Sequence, residues 1–184
     1  MSERYEILIA GRGGQGILLA GYLMGRTLIE KGYYVVNSET YSAETRGGDS
    51  RSELVVMVGE EPDLIRVRKA NIAIFMFDEQ MNKYGKWVRE DAKVFLDSTF
   101  IEKPSMPWKE VYAIPFTRIA EEKVGSPRVA NMVMLGAFSA ITGLYDKESL
   151  KKTIESHVKK QWIETNLKAV EVGYEVGKEY RARS

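Results

Sequence analysis

A chain of 184 residues is long enough to bury a core and suits one compact domain, residues 1–184, and 44% hydrophobic against 29% charged residues is ordinary for a globular protein. Lys and Arg together number 27 and Asp and Glu 26, a formal charge of +1 that gives no electrostatic ground for expecting nucleic acid. With no cysteine and a single histidine, His157, the chain excludes disulfides, thiolate zinc sites and cysteine-ligated clusters of its own, and leaves little for His-based metal or Ser–His–Asp chemistry.

In chain order, Tyr5–Ala10 reads as a first strand and Gly11–Gly16 as a glycine-rich turn. The apolar run at the start is broken at once by glycines and an arginine, unlike a signal peptide, and no stretch approaches the ~20 apolar residues of a membrane span. The expectation is a cytoplasmic protein with no membrane contact. Ile17–Lys31 reads as a helix stopped by Gly32, with Gly21 and Gly25 four apart for close packing on a strand. Tyr33–Val36 is aromatic and β-branched, a second strand, followed by a polar loop from Glu39 to Asp49. Glu53–Val58 is a third strand, and Asn71–Phe77 an apolar run fit for a strand covered on both faces. Val94–Asp97 and Val111–Ile114 are shorter strands, with a helix over Gln80–Val88. Ser126-Pro127 caps a nearly all-apolar helix, Val129–Thr142, ended by Gly143. Asp146 caps a helix through about Val158, and a last helix from Trp162 carries Ile163, Leu167, Val170 and Tyr174 as one stripe. Strands alternating with helices predict a single α/β domain. Its sheet is mostly parallel and flanked by helices, with a Rossmann-like start and ligands expected beyond the carboxyl ends of the strands.

Two segments stand out chemically. Gly11-Arg12-Gly13-Gly14-Gln15-Gly16 matches G-x-G-x-x-G between a strand and a helix. Glycines let the backbone approach an anion, and a helix start offers free N–H groups at its positive dipole end. Arg12 adds a charge for a phosphate. A tight turn without ligand is the plain alternative. A Rossmann reading would use Glu39, after strand two, for a ribose, so an independent NAD- or flavin-binding domain stays open. The second segment, Tyr41-Ser42-Ala43-Glu44-Thr45-Arg46-Gly47-Gly48-Asp49-Ser50-Arg51-Ser52, mixes arginines with small hydroxyl residues around a Gly-Gly pair. It can cradle an anion, dock to a partner or simply join two strands. Asn131 is a polar residue inside an apolar helix, either a satisfied amide or a support for the loop after strand one. Asp78-Glu79 suit a helix N-terminus, the eight methionines suit core packing, and His157 reads as a surface residue.

The order of these segments resembles the γ subunits of 2-oxoacid:ferredoxin oxidoreductases. Gly11–Ile17, Ser42–Gly48 with Arg51–Val56, and Val129–Ala137 carry the likeness in sequence over most of the chain. The resemblance implies an α/β γ subunit, inactive alone, in a complex with α and β subunits and in some enzymes a ferredoxin-like δ subunit. Such complexes decarboxylate a 2-oxoacid to an acyl-CoA and reduce ferredoxin. Thiamine diphosphate, Mg2+ and iron–sulfur clusters would sit on the other subunits, with coenzyme A as substrate and no cofactor on this chain. By the same resemblance Gly11, Arg12, Gly13, Gly14, Gln15 and Gly16 would face CoA phosphates. Ser42, Ala43, Glu44, Thr45, Arg46, Gly47 and Gly48 would close over the active site. The wording of the second segment looks closest to the 2-oxoglutarate type. No general acid, base or nucleophile is assigned, and a purely structural subunit is the further alternative.

Overall fold

The computed structural model describes residues 3–42 and 47–184. Six strands, β1 (Arg4–Arg12), β2 (Tyr34–Tyr41), β3 (Asp49–Met57), β4 (Ala70–Phe75), β5 (Val88–Asp97) and β6 (Glu110–Ile114), form one sheet in the order β2-β3-β1-β4-β5-β6. The run β1-β4-β5-β6 is parallel, and β3 is antiparallel to both β1 and β2. The helices are α1 (Ile17–Glu30), α2 (Asp78–Tyr84), α3 (Phe116–Ile119), α4 (Ala130–Thr142), α5 (Lys147–His157) and α6 (Lys160–Ala182). A 3-10 turn, Gly85–Trp87, follows α2. A π-helical turn, Ala120–Val124, and a 3-10 turn, Pro127–Val129, join α3 to α4. The α/β class and the mostly parallel sheet are as expected from the sequence. Among the described residues no helix is long and apolar enough to cross a membrane.

Alternation along the strands assigns the core to two layers. Ile7, Ile9, Leu54, Val56, Ile72, Ile74 and Phe95 pack with side chains of α1, α4, α5 and α6. Leu8, Ala10, Ala73, Phe75, Val94 and Leu96 face the other way, onto Met81, Tyr84, Ile101 and Trp108. The central strands are therefore buried on both faces, which is why they read as continuous apolar runs. The glycine pair on α1 does pack on the sheet. Gly21 lies directly against Ser52, and a Cβ on Gly25 would stand 3.5 Å from Leu54. Asp146 caps α5 by accepting from the Ser149 N–H at 2.7 Å, and Asp78 and Glu79 open α2.

The structure differs from the sequence reading in several places. Strand β2 runs on to Tyr41 and β3 starts at Asp49, so only the two ends of the expected loop, Glu39–Tyr41 and Asp49, lie in strands, and the β2–β3 ladder is in unbroken register from Tyr34↔Met57 to Tyr41↔Ser50. An antiparallel edge strand open to solvent tolerates Asn37, Ser38, Glu39 and Thr40, and apolar content understates its length. Strand β5 begins at Val88, which pairs with Ala70 across a register shift, and this ends the helical segment before Val88. The α3 and π-helical turns fill a stretch with no periodic signal. On α6 the buried face is Asn166, Ala169, Val170, Gly173, Val176 and Gly177, rotated from the expected stripe, of which only Val170 is fully buried. Small residues win that face because the helix backbone itself meets α4. Gly173 abuts the Val133 carbonyl, and Gly136 abuts the Val170 carbonyl.

Candidate anion site at the start of helix α1

The Gly11–Gly16 segment joins the carboxyl end of β1 to the N-terminus of α1. The Gly16 φ of 70° places it in the left-handed region, and Gly14 has φ 93°. A side chain at either position is strained. At Gly16 a Cβ would also run into the Asn131 carboxamide. Asn131 Nδ2 donates to the Gly16 carbonyl at 3.2 Å, and Asn131 Oδ1 accepts from the Met132 N–H at 2.9 Å. The buried amide of the apolar helix is thus satisfied, and it supports the turn.

Gln15, half-buried, is held at both ends of its side chain. Its Oε1 accepts from the Arg12 N–H at 2.8 Å and its Nε2 donates to the Met76 carbonyl at 3.0 Å. This ties the turn to the end of β4 and leaves the Gln15 side chain as a brace. The Gly13 N–H donates to the Gly48 carbonyl at 2.6 Å. The amides of Gly14, Gly16, Ile17 and Leu18 find no acceptor among the described residues. These are the donors a helix start presents to an anion.

The two segments singled out in the sequence meet here. Besides the Gly13–Gly48 bond, Gly47 lies directly against the Arg12 guanidinium, and that guanidinium stacks 4.6 Å from the Phe77 ring centroid. The Tyr41 ring packs against Gly13. Ala43, Glu44, Thr45 and Arg46 lie outside the described residues. The base of the second segment is anchored by Asp49, whose Oδ2 accepts from the Tyr84 hydroxyl and pairs with Lys83 Nζ at 3.0 Å. Burial would raise the Asp49 pKa, but the hydrogen bonds from Tyr84 and Lys83 outweigh it and hold the carboxyl below its usual range. Further along, Arg51 stacks at 4.8 Å from both the Tyr84 and Trp87 rings, a structural position.

Beyond the ends of the parallel strands lies a shallow pocket of about 220 Å³, lined by Gly14, Gln15, Phe100, Thr117, Pro127, Arg128 and Ala130. The segments opening α1 and α4 both contribute to it, and neither helix has an acidic residue in its first turn. Two positive dipole ends, an exposed Arg128 and the neighbouring Arg12 make the region favourable to negative charge. Phe100 is 42% exposed and tilts on Phe77 at 5.2 Å, a flat apolar wall beside the charges. Asp97, fully buried under this wall, is consumed by Thr99 N–H, Thr117 N–H and Thr117 Oγ1, the last at 2.6 Å. It shapes the floor and adds no exposed charge. Phe77, Phe100, Thr117 and Arg128 were not singled out in the sequence. The signal that finds the first three is positional: each follows a parallel strand at its carboxyl end.

Glu39 is not part of this site. It is exposed on the edge strand β2, which β3 separates from β1, so it lies away from the carboxyl end of β1 where the glycine turn sits. His157 is half-buried, its Nδ1 2.9 Å from the Thr153 carbonyl and its ring edge-on to Tyr22. No group of three or more potential metal ligands forms among the described residues.

Comparison with known proteins places the fold. The chain is 41% identical over 180 residues to the 2-oxoglutarate synthase subunit KorC of Methanocaldococcus jannaschii, covering 96% of this chain and 95% of that one. Its structure superposes on the γ subunit of a keto/oxoacid ferredoxin oxidoreductase from Geobacter sulfurreducens with a TM-score of 0.80 at 31% identity, covering 98% of this chain and 99% of that one. The fold also recurs, at 22% identity and a TM-score of 0.83, within the 2-oxoglutarate:ferredoxin oxidoreductase of Magnetococcus marinus, covering 99% of this chain and 32% of that chain. The model of the pyruvate ferredoxin/flavodoxin oxidoreductase family matches residues 6–176, and the chain belongs to that family.

Proposed function

We propose that this chain is the γ subunit of a 2-oxoglutarate:ferredoxin oxidoreductase complex, in which the glycine turn and its surroundings hold the phosphates of coenzyme A. The observation that carries the reading is the convergence of unengaged turn amides, two helix N-termini and Arg128 on one pocket with no acid in either helix's first turn, with Arg12 stacked on the neighbouring Phe77. Coenzyme A carries its charge in phosphates and has an aromatic base. Arg12 and Arg128 offer charge-assisted bonds to the first, and Phe100 a stacking surface for the second. The 2-oxoglutarate assignment is supported by the similarity to a 2-oxoglutarate synthase subunit over nearly the whole of both chains.

Within such a complex the division of labour follows from the residues. The chain has no cysteine, so iron–sulfur clusters belong to partner subunits, as do thiamine diphosphate and its Mg2+. Thiamine diphosphate supplies the decarboxylation chemistry when bound there. The work of this chain is to bind and orient the acceptor thiol's carrier, with Gly47 and Gly48 bringing the second segment over the glycine turn. No side chain here is placed as acid, base or nucleophile.

The test is kinetic. In the assembled complex, Arg12→Ala and Arg128→Ala should each raise KM for coenzyme A by about tenfold, the loss of one charge-assisted contact. KM for the 2-oxoacid and kcat at saturating coenzyme A should hold near wild type. If both variants keep a wild-type KM for coenzyme A, the binding role of this face is wrong. The dinucleotide-domain reading predicts instead a nucleotide that co-purifies with the isolated chain.

A further inference from the structure

Asn131 is the one polar side chain of α4 that reaches the glycine turn. It is 3% exposed, and both ends of its carboxamide are engaged. Its Nδ2 and the Ala20 N–H, at 3.2 and 3.0 Å, both donate to the Gly16 carbonyl. In a trans peptide the C=O and the following N–H point in opposite directions. Fixing the Gly16 carbonyl toward Asn131 therefore fixes the Ile17 N–H outward, at the head of α1. The platform behind Asn131 is rigid, because α4 is locked against α6 by the close backbone contacts at Gly136, Gly173 and Gly177.

We propose that Asn131 is a positioning residue: through the Gly16 carbonyl it sets the outward direction of the turn amides that bind the phosphates of coenzyme A. This rests on the coenzyme A reading of the turn. It assigns the amide a role that packing alone does not, since an apolar side chain would fill the same volume in an otherwise apolar helix. It also accounts for Gly16, whose missing Cβ is the space the carboxamide occupies.

The test uses two variants in the complete reconstituted complex. Asn131→Ala removes both bonds. Asn131→Leu also removes both bonds while keeping a similar side-chain volume and adding no charge beside the phosphates, and it serves if the alanine variant fails to assemble. Steady-state kinetics give KM for coenzyme A, KM for 2-oxoglutarate and kcat, and hydrogen–deuterium exchange follows the peptide spanning residues 13–19. The expected result is exchange in that peptide at least threefold faster, and a KM for coenzyme A raised about tenfold with the other two constants unchanged. Wild-type exchange and wild-type KM in an assembled variant would overturn the proposal. An equal loss in all three constants would also overturn it, since that is the mark of general destabilisation. Faster exchange with an unchanged KM for coenzyme A would support the brace and contradict the coenzyme A reading beneath it, separating the two failures.

Discussion

Gly16 carries two constraints at once, a left-handed φ of 70° and a carboxamide where a Cβ would stand. Gly16→Ala should therefore destabilise the chain by about 1–3 kcal/mol, measurable by urea unfolding, because the strained backbone and the displaced Asn131 act together. A change under a few tenths of a kcal/mol would mean the turn relaxes freely. Asp49 offers a pH test. Its pKa is lowered in the fold, against the effect of burial, by Tyr84 and Lys83. A carboxyl depressed in the fold contributes stability above its unfolded value of about 3.9, and that contribution is lost as pH falls through the folded value. The stability gap between wild type and Asp49→Asn should be constant from pH 5 to 7 and shrink below about 4, read by urea titrations across that range. A gap that widens in acid would reverse the assigned sign. At this scale the sequence was informative where the chemistry is contiguous. Gly11–Gly16 could be read as one anion-binding turn because its residues are neighbours in the chain. The inward turn of Gln15 was not legible, since its acceptor, the Met76 carbonyl, is a backbone group 61 residues away.

The elements that hold the site are the β1–α1 unit and the α4–α6 pair. The second is built on glycines where helix backbones touch: Gly173 against the Val133 carbonyl and Gly136 against the Val170 carbonyl. Gly173→Ala should force the helices apart and destabilise by about 1–3 kcal/mol, as overpacking does, with the thermal midpoint of the chain as readout. An unchanged midpoint would contradict the close approach. This packing also explains a misreading of α6. Hydrophobic periodicity picked Ile163, Leu167, Val170 and Tyr174, of which Val170 is fully buried, whereas the rest of the buried face is carried by small residues such as Ala169, Gly173 and Gly177. Small residues give weak hydropathy signals even where they are the contact. The β2–β3 hairpin shows the opposite effect. Its residues Glu39 to Tyr41 were read as loop, because a ladder edge facing solvent makes no demand for apolar side chains. The core strands β1 and β4, buried on both faces, were legible for the same reason that the hairpin was not.

On the scale of the whole molecule, the sheet separates two tasks. One end of the parallel strands gathers the glycine turn, Phe77, Phe100, Thr117 and Arg128, while α4, α5 and α6 form a thick layer behind it. Residues from four separate strand ends meet only in the folded chain, so their grouping could be anticipated from the α/β pattern as a location and not as a set of side chains. The family assignment makes the chain part of a larger enzyme, and on the function proposed above it holds a phosphate-rich substrate while electron transfer occurs on cluster-bearing partners.

That account is tested most directly by isolating a tagged copy of the chain from its own cells under native conditions. The eluate would be assayed for reduction of a low-potential dye with 2-oxoglutarate and, separately, with pyruvate, each with and without coenzyme A. The account predicts co-eluting thiamine- and cluster-bearing subunits, and turnover of 2-oxoglutarate that requires coenzyme A. Turnover of pyruvate with none of 2-oxoglutarate would contradict the substrate, and a chain that elutes without partners would contradict the γ-subunit role itself.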